Sequence, residues 1–226
     1  MKTSIKYTPA SLNDVIFPSA AVERRIRAYA AGQMAGHIML HGPNGTGKTT
    51  VAHLLVQAIG GADAQCETDF EKMLAKPDDL KDCLRQSCAL ARLTTSGKHF
   101  MVFHEFDSVK RGVSKFWTAL DDCEDDAMAI ITTNNPMSID RSVRSRFDMI
   151  HFPGITAQSA LPRIQVVLTA EGLTLPDAQV LCYLRLVEHF MDLRKYFKQA
   201  DELLFLHRTN QPLPAWKVAP PKLKVV

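Results

Sequence analysis

The stretch of sequence that decides the fold runs from residue 37 to residue 50 and reads HIMLHGPNGTGKTT. Residues 42–49 of this stretch match the pattern GxxxxGK[ST] at every fixed position. The preceding residues 37–41 predict a short buried strand, and residues 49–59 resume an apolar helical pattern. Glycines let backbone N–H groups turn inward around an anion, and the start of a helix adds its positive dipole end. We therefore predict a phosphate-binding loop between a strand and a helix.

This loop predicts ATP and Mg²⁺ as cofactors. We expect the Lys48 ammonium to reach the β- and γ-phosphate oxygens and the Thr49 hydroxyl to ligate magnesium. A chance glycine-rich turn is the alternative, but the strand before the motif and the helix after it favour the loop. The predicted nucleotide-binding residues of the loop are Gly42, Pro43, Asn44, Gly45, Thr46, Gly47, Lys48, Thr49 and Thr50.

Strand and helix patterns alternate through the first two thirds of the chain. Short apolar runs predict further strands at residues 100–103, 128–131 and 149–152. Amphipathic patterns predict helices at residues 19–33, 77–93 and 110–121. This alternation predicts an α/β fold of the P-loop NTPase type, in which a parallel sheet carries helices on both faces.

The strand signal disappears after Pro153-Gly154, where we place a domain boundary. Helical patterns follow at residues 157–170, 176–190 and 192–206. The sequence thus predicts a P-loop ATPase domain, a small all-α lid domain and a flexible, basic, proline-rich tail, at residues 1–153, 154–207 and 208–226.

Composition narrows the functional classes. The 226 residues are 46% hydrophobic and 23% charged, which is typical of a globular protein. No apolar run of about 18 residues is present, so we expect no membrane span. The five cysteines form no CxxC pair and read as reduced thiols of a cytoplasmic protein. Of the net charge of +3, the last twenty residues contribute +4, so net charge alone gives no reason to expect nucleic-acid binding.

A second polar motif follows the predicted strand at residues 100–103, where the sequence continues as HEFD. ATPases of this type need carboxylates at the tip of a strand next to the loop. Glu105 fits the position that activates water, while His104 stands where an aspartate associated with magnesium is usual. Asp107 is a candidate metal ligand, although a helix cap is an equal alternative. We therefore expect ATP binding and, because of His104, slow hydrolysis.

With both motifs in place, the chain from about Lys6 to Leu204 resembles the small subunits of replication clamp loaders, AAA+ ATPases, and especially the phage type. Residues 7–18 resemble the segment of that family that forms the adenine pocket. The resemblance assigns Tyr7, Val15 and Ile16 to this pocket.

Three further segments carry the resemblance. Residues 131–136 resemble the end of the sensor-1 strand, which implies that Asn134 contacts the γ-phosphate or the attacking water. Ser145-Arg146-Phe147 resembles the Ser-Arg-Cys motif, whose arginine reaches the ATP of a neighbouring subunit. Residues 192–195 resemble the sensor-2 motif of the lid, with Arg194 near the γ-phosphate. The resemblance thus implies a homo- or hetero-oligomer with Arg146 acting in trans.

The resemblance also implies a surface that faces DNA, at Lys110, Arg111 and Lys115, with a solvated helix face as the alternative. The chain departs from the family at His104, in lacking a paired arginine near residues 114–117, and in ending without a helical collar domain.

Three functions are compatible with these features. The first is an oligomeric ATPase switch acting on DNA or a DNA-bound partner. The alternative is a scaffold subunit of a larger nucleoprotein, defence or transposition assembly that binds ATP but hydrolyses it poorly. A ring that threads polypeptide is the least supported, because Phe70 is the only aromatic residue of the Phe, Trp and Tyr type between residues 54 and 99.

Overall fold

The computed structural model describes residues 2–61, 64–70, 80–106, 113–123 and 125–214. It divides the chain into two compact units, one of Pro9–Pro153 and one that joins Met1–Thr8 to Gly154–Val226.

The first unit is built on a parallel sheet of the strands β1 (His37–His41), β2 (Cys66–Glu67), β3 (His99–Phe103), β4 (Ala127–Thr133) and β5 (Phe147–His151). The order across this five-stranded sheet is β2-β3-β4-β1-β5, and every neighbouring pair is parallel. The carboxyl end of β1 therefore lies between the carboxyl ends of β4 and β5. The predicted parallel sheet is confirmed, with β2 as an additional strand and with β5 starting two residues earlier than predicted.

Helices cover both faces of this sheet, as predicted. The helices described here are α2 (Ala20–Ala30), α3 (Lys48–Gly60), α4 (Leu80–Ala91), α5 (Val113–Asp121) and the short α6 (Arg141–Arg144), with single 3₁₀ turns at Leu12–Asp14 and Pro136–Ser138.

The core consists of two apolar clusters, one on each side of the sheet. In β1, Ile38 and Leu40 pack with residues of α2 and α3, whereas Met39 between them packs with residues of α4 and α5. Successive side chains of a strand point to opposite faces, so a strand covered on both sides must be apolar throughout. This requirement explains why β1, β3 and β4 are visible in the sequence as continuous apolar runs.

The second unit is built of helices. It contains α1 (Thr3–Lys6), α7 (Ala157–Ala170), α8 (Asp177–Arg185) and α9 (Leu193–Arg208), with a 3₁₀ turn at Glu188–Phe190. The structure groups residues 1–8 with this unit, whereas the sequence analysis placed them in the first domain. The reason is that Thr3 is buried and its backbone N–H donates to Asp201 Oδ1 of α9 at 2.9 Å.

The helix predicted at residues 176–190 is shorter in the structure. It ends at Arg185, and Met191, with φ of 51°, terminates the following 3₁₀ turn. Gly154 permits this arrangement, because a Cβ there would lie 2.4 Å from Met191 Cβ. Of the predicted tail, Arg208 belongs to α9, and residues 215–226 lie outside the described residues. No helix in the described part of the chain is both long and apolar enough to cross a membrane.

Candidate nucleotide-binding site

The loop between β1 and α3 has the backbone geometry that its glycines predict. Gly42, Gly45 and Gly47 have φ of 142°, 72° and 86°, values that side chains other than glycine rarely adopt. Gly42 also passes so close to the backbone of Phe152 that a Cβ would lie 2.1 Å from the carbonyl oxygen. The first backbone N–H groups of α3 have no partner within that helix and can bind an anion at this end.

Lys48 is buried at the first position of α3 and its ammonium group points into the loop. Its Nζ donates to the carbonyl oxygens of Gly42 at 2.8 Å and Pro43 at 2.7 Å, and to Asn134 Oδ1 at 3.1 Å. A buried ammonium is costly unless oxygen atoms surround it, and phosphate oxygens would serve as well as these. The structure therefore brings together two residues that the sequence analysis assigned to the γ-phosphate, Lys48 and Asn134.

The other loop residues divide into anchors and exposed groups. Thr46 is buried and its hydroxyl donates to the Pro43 carbonyl at 3.1 Å, which fixes the turn. Pro43, Asn44 and Thr49 are exposed, and Thr50 is half-buried. The Thr49 hydroxyl thus lies at the accessible end of α3. Magnesium that arrives with nucleotide keeps several waters and phosphate oxygens and needs few protein ligands, so this single hydroxyl suits it.

Glu105 follows the carboxyl end of β3. Because β3, β4 and β1 are neighbouring parallel strands, this carboxyl end lies at the same end of the sheet as the phosphate loop. It is exposed and has φ of 50°, an unfavourable backbone conformation for a glutamate that costs on the order of 1 kcal/mol. Its N–H donates to Thr132 Oγ1 of β4 at 3.4 Å. Phe103 and Phe106 are both buried on either side of it and hold the segment in place.

His104 contacts α3 at its Nε2 end. Its Nε2 lies 2.9 Å from Nε2 of His53, and Nδ1 of His53 lies 3.8 Å from Cys66 Sγ. One ring must donate and the other accept, so the two rings share one N–H. Burial, together with the nearby His53, lowers the pKa of His104, which favours the neutral ring at neutral pH. The position at which the sequence analysis expects an aspartate is thus occupied by a neutral imidazole that is hydrogen-bonded to His53.

Arg146 lies at the amino end of β5, whereas the phosphate loop lies at the carboxyl end of the parallel strand β1. It directly precedes β5, whose first residue Phe147 is in register with His37, the first residue of β1. The five residues of β1, about 16 Å of extended chain, therefore separate it from Gly42. Its guanidinium forms a paired hydrogen bond with the Asp121 carboxylate, with Nε–Oδ1 of 2.7 Å and Nη2–Oδ2 of 2.6 Å. Arg146 is too far from the loop of its own chain to contact a nucleotide there.

The three residues predicted for the adenine pocket are divided between the two units. Tyr7 lies in the second unit, where its hydroxyl donates to Glu171 Oε1 at 2.8 Å, whereas Val15 and Ile16 are half-buried in the first unit. Arg194 lies in the first turn of α9 in the second unit, is exposed, and contacts Asp192 through Nε at 3.3 Å. The adenine and sensor-2 roles of these residues stay predictions.

Other predicted residues fall outside what the structure describes. Asp107, Lys110 and Arg111 lie outside the described residues, and so does the side chain of Lys115. Among the residues that are described, no group of three or more histidine, cysteine, aspartate or glutamate side chains could hold a metal ion. The sequence analysis missed His53 and Asp121. Each contacts its partner across 51 or 25 residues of sequence, and a single sequence gives no signal of such a pairing.

Comparisons with known proteins show the family to which the chain is related. Residues 38–154 match the AAA family, the "ATPase family associated with various cellular activities". The chain is 29% identical over 211 residues to the sliding-clamp-loader large subunit of Escherichia phage RB69, covering 87% of this chain and 62% of that protein. It is 25% identical to the replication factor C small subunit of Natronomonas pharaonis, covering 76% and 53%. The chain thus spans less than two thirds of these relatives.

Solved structures show the same fold. A RuvB variant of Thermotoga maritima superposes with a TM-score of 0.65 at 18% identity, covering 91% of this chain and 68% of that one.

Proposed function

Because the chain belongs to the AAA family of ATPases, we propose that it is an oligomeric, ATP-dependent switch that acts on DNA or on a DNA-bound partner. The observation that carries this proposal is the contact of 3.1 Å between Lys48 Nζ and Asn134 Oδ1 at the mouth of the loop. A γ-phosphate bound in the loop would meet both groups, so that its presence or loss would be sensed at the start of α3 and at the end of β4 at once.

In the proposed reaction, each polar group has one task. Lys48 neutralises the β- and γ-phosphate oxygens, the loop N–H groups hold the β-phosphate, and Asn134 orients the attacking water. Glu105 accepts the proton of that water. Thr49, with Asp107 as a further candidate, would hold the magnesium ion that accompanies ATP, and the bound ion would supply positive charge near the leaving group.

Arg146 completes the site of a neighbouring subunit in this proposal. Its location one strand length from its own loop supports action in trans, because an arginine side chain cannot span about 16 Å. A second cation at the γ-phosphate stabilises the spreading negative charge of the transition state. Arg194, and Tyr7 with Val15 and Ile16, are proposed to contact the γ-phosphate and the adenine, respectively.

The link to DNA rests on the relatives. Proteins named as clamp-loader and replication factor C subunits are similar to this chain over three quarters or more of its length. We propose that Lys110, Arg111 and Lys115 contact the phosphate backbone of a duplex. Contacts of this kind weaken as salt rises, because counterions are released on binding.

The alternative is a scaffold subunit that binds ATP but hydrolyses it very slowly. One observation favours it, namely that His104, whose pKa is lowered by burial, is hydrogen-bonded to His53 at the position where the sequence analysis expects a carboxylate. The two functions differ in steady-state turnover: a switch hydrolyses ATP measurably faster than its Glu105→Gln variant, while a scaffold does not.

Lys48→Ala tests the site itself. We expect the affinity for ATP to fall by at least tenfold and hydrolysis to be lost. The reason is that the variant removes the ammonium group that would pair with the β- and γ-phosphate oxygens. Lys198→Ala, at an exposed position on α9, is the matched control and is expected to leave both unchanged. Nucleotide titration and steady-state hydrolysis, with and without DNA, measure these effects. Unaltered affinity and turnover in a folded Lys48→Ala protein would refute the site.

A further inference from the structure

Asp121 is the acidic partner of the arginine proposed to act in trans. We propose that Asp121 is a positioning residue that holds the Arg146 guanidinium ready for the nucleotide of the neighbouring subunit. This inference rests on the proposed function, because it assigns a role to a second residue in the same intersubunit site.

The hydrogen bonds of Arg146 leave a defined part of the guanidinium available. Nε and Nη2 each donate to one oxygen of Asp121, and Nη1 donates to the Ser142 carbonyl oxygen at 2.6 Å. A guanidinium has five N–H groups in a fixed plane. Three are used in these bonds, so that, within the described part of the chain, one N–H remains on Nη1 and one on Nη2. Two neighbouring donors suit two oxygens of one phosphate group.

Packing holds the end of α5 that carries Asp121, whereas the Asp121 side chain itself is 46% exposed. It ends α5, and Trp117 one turn earlier in that helix is fully buried. The Trp117 ring packs edge-on against Phe147, the residue after Arg146, with ring centroids 5.0 Å apart. The same contact therefore fixes the end of α5 beside the start of β5. The Arg146 hydrogen bonds also lower the pKa of Asp121, so the carboxylate is ionised at neutral pH.

Positioning matters because a free arginine side chain samples many rotamers. Ordering it costs side-chain entropy, and the transition state bears this cost unless the side chain is already ordered. The side chain of Arg146 is 31% exposed, so packing alone leaves it room to move. Loss of Asp121 is therefore expected to lower the turnover of the neighbouring site without altering its affinity for ATP.

The test uses mixtures of two full-length variants. Glu105→Gln subunits supply Arg146 but have no working site, and Arg146→Ala subunits have a site but supply no arginine. Hydrolysis in the mixture then comes from Arg146→Ala sites completed by Glu105→Gln neighbours. Adding Asp121→Asn to the Glu105→Gln subunits is expected to lower kcat about three- to tenfold with KM for ATP unchanged.

Two controls separate positioning from general damage. Asp121→Asn placed in the Arg146→Ala subunits is expected to change nothing, because no arginine is present there to hold. Asp122→Asn in the Glu105→Gln subunits removes the neighbouring carboxylate, which pairs with Lys81 instead, and is also expected to be neutral. If Asp121→Asn does not fold, Asp121→Glu keeps the charge while displacing it by one methylene, and a smaller fall in kcat is expected.

The outcomes distinguish the two proposals. If Glu105→Gln subunits give no rescue of Arg146→Ala at any ratio, action in trans fails and the proposed function with it. If rescue occurs and both Asp121 variants support it as well as the parent, only the role of Asp121 is overturned. Greater rescue with Asp121→Asn also overturns it, since Asp121 would then restrain the arginine.

Discussion

At the scale of the residue, His104 occupies the position at which the sequence analysis expects an aspartate. Its ring is neutral and bonded to His53, so it supplies no negative charge to a magnesium-bound water. A carboxylate there could accept hydrogen bonds from that water and could pair with His53. We propose that this histidine slows ATP hydrolysis.

His104→Asp is expected to raise steady-state turnover several-fold, with a smaller effect on ATP affinity. The physical reason is that a carboxylate orients the magnesium-bound water, and each tenfold gain corresponds to about 1.4 kcal/mol of barrier. His207→Asp, at an exposed position near the end of α9, controls for the added charge. Equal or lower hydrolysis in a folded His104→Asp protein would show that the histidine is not what limits the reaction.

At the scale of the element, β1 carries a titratable group at its buried first position. His37 is buried, and its Nδ1 accepts the N–H of Ala129 in β4 at 3.2 Å. Burial lowers the pKa of His37 from 6.5 to about 4, because the charged ring loses its hydration. The unfolded chain therefore binds a proton in a pH range where the folded chain does not.

For this reason, the free energy of unfolding is expected to decrease as the pH is lowered. Above pH 6.5 the His37 ring is neutral in both the folded and the unfolded chain and does not alter the free energy of unfolding. As the pH falls towards 4, the unfolded chain binds a proton at His37 and the folded chain does not, which lowers the free energy of unfolding by about 3 kcal/mol. His37→Asn keeps an acceptor for the Ala129 N–H but does not titrate. Urea unfolding at several pH values should therefore show a shallower decline in His37→Asn, and parallel curves for the two proteins would contradict the assignment.

The elements differ in how far the sequence predicts them. Strands β1, β3 and β4 are covered on both faces and appear as apolar runs, and the phosphate loop is encoded within eight consecutive residues. Strand β2 has only Cys66 and Glu67, too short for any pattern. The turn after α8 depends on the contact between Gly154 and Met191, which a sequence pattern does not reveal. The pairing of Asp121 with Arg146 is likewise a product of the tertiary packing.

At the scale of the whole molecule, the loop and Arg146 cannot act on one nucleotide of the same chain. Arg146→Ala is therefore expected to leave ATP binding of the isolated subunit nearly intact, while hydrolysis falls by about tenfold or more and ATP-dependent assembly weakens. Light scattering with and without ATP measures the assembly. Arg141→Ala, also on the surface and four residues before the first residue of the motif, serves as the control, and equal losses in both variants would contradict a specific role for Arg146.

The placement of Arg146 and the phosphate loop at opposite ends of one sheet also gives each subunit a polarity. In the proposed oligomer, the end of the sheet that carries Arg146 would donate an arginine and the end that carries the loop would receive one, so contacts between copies would be heterologous and would follow each other head to tail. If the rotation between subunits closes, every site in the ring is complete. If it does not close, the last subunit has a site that no arginine reaches, and the first has an arginine with nothing to contact. An open chain of subunits therefore always keeps one inactive site at a defined end, where a different protein could bind and complete it.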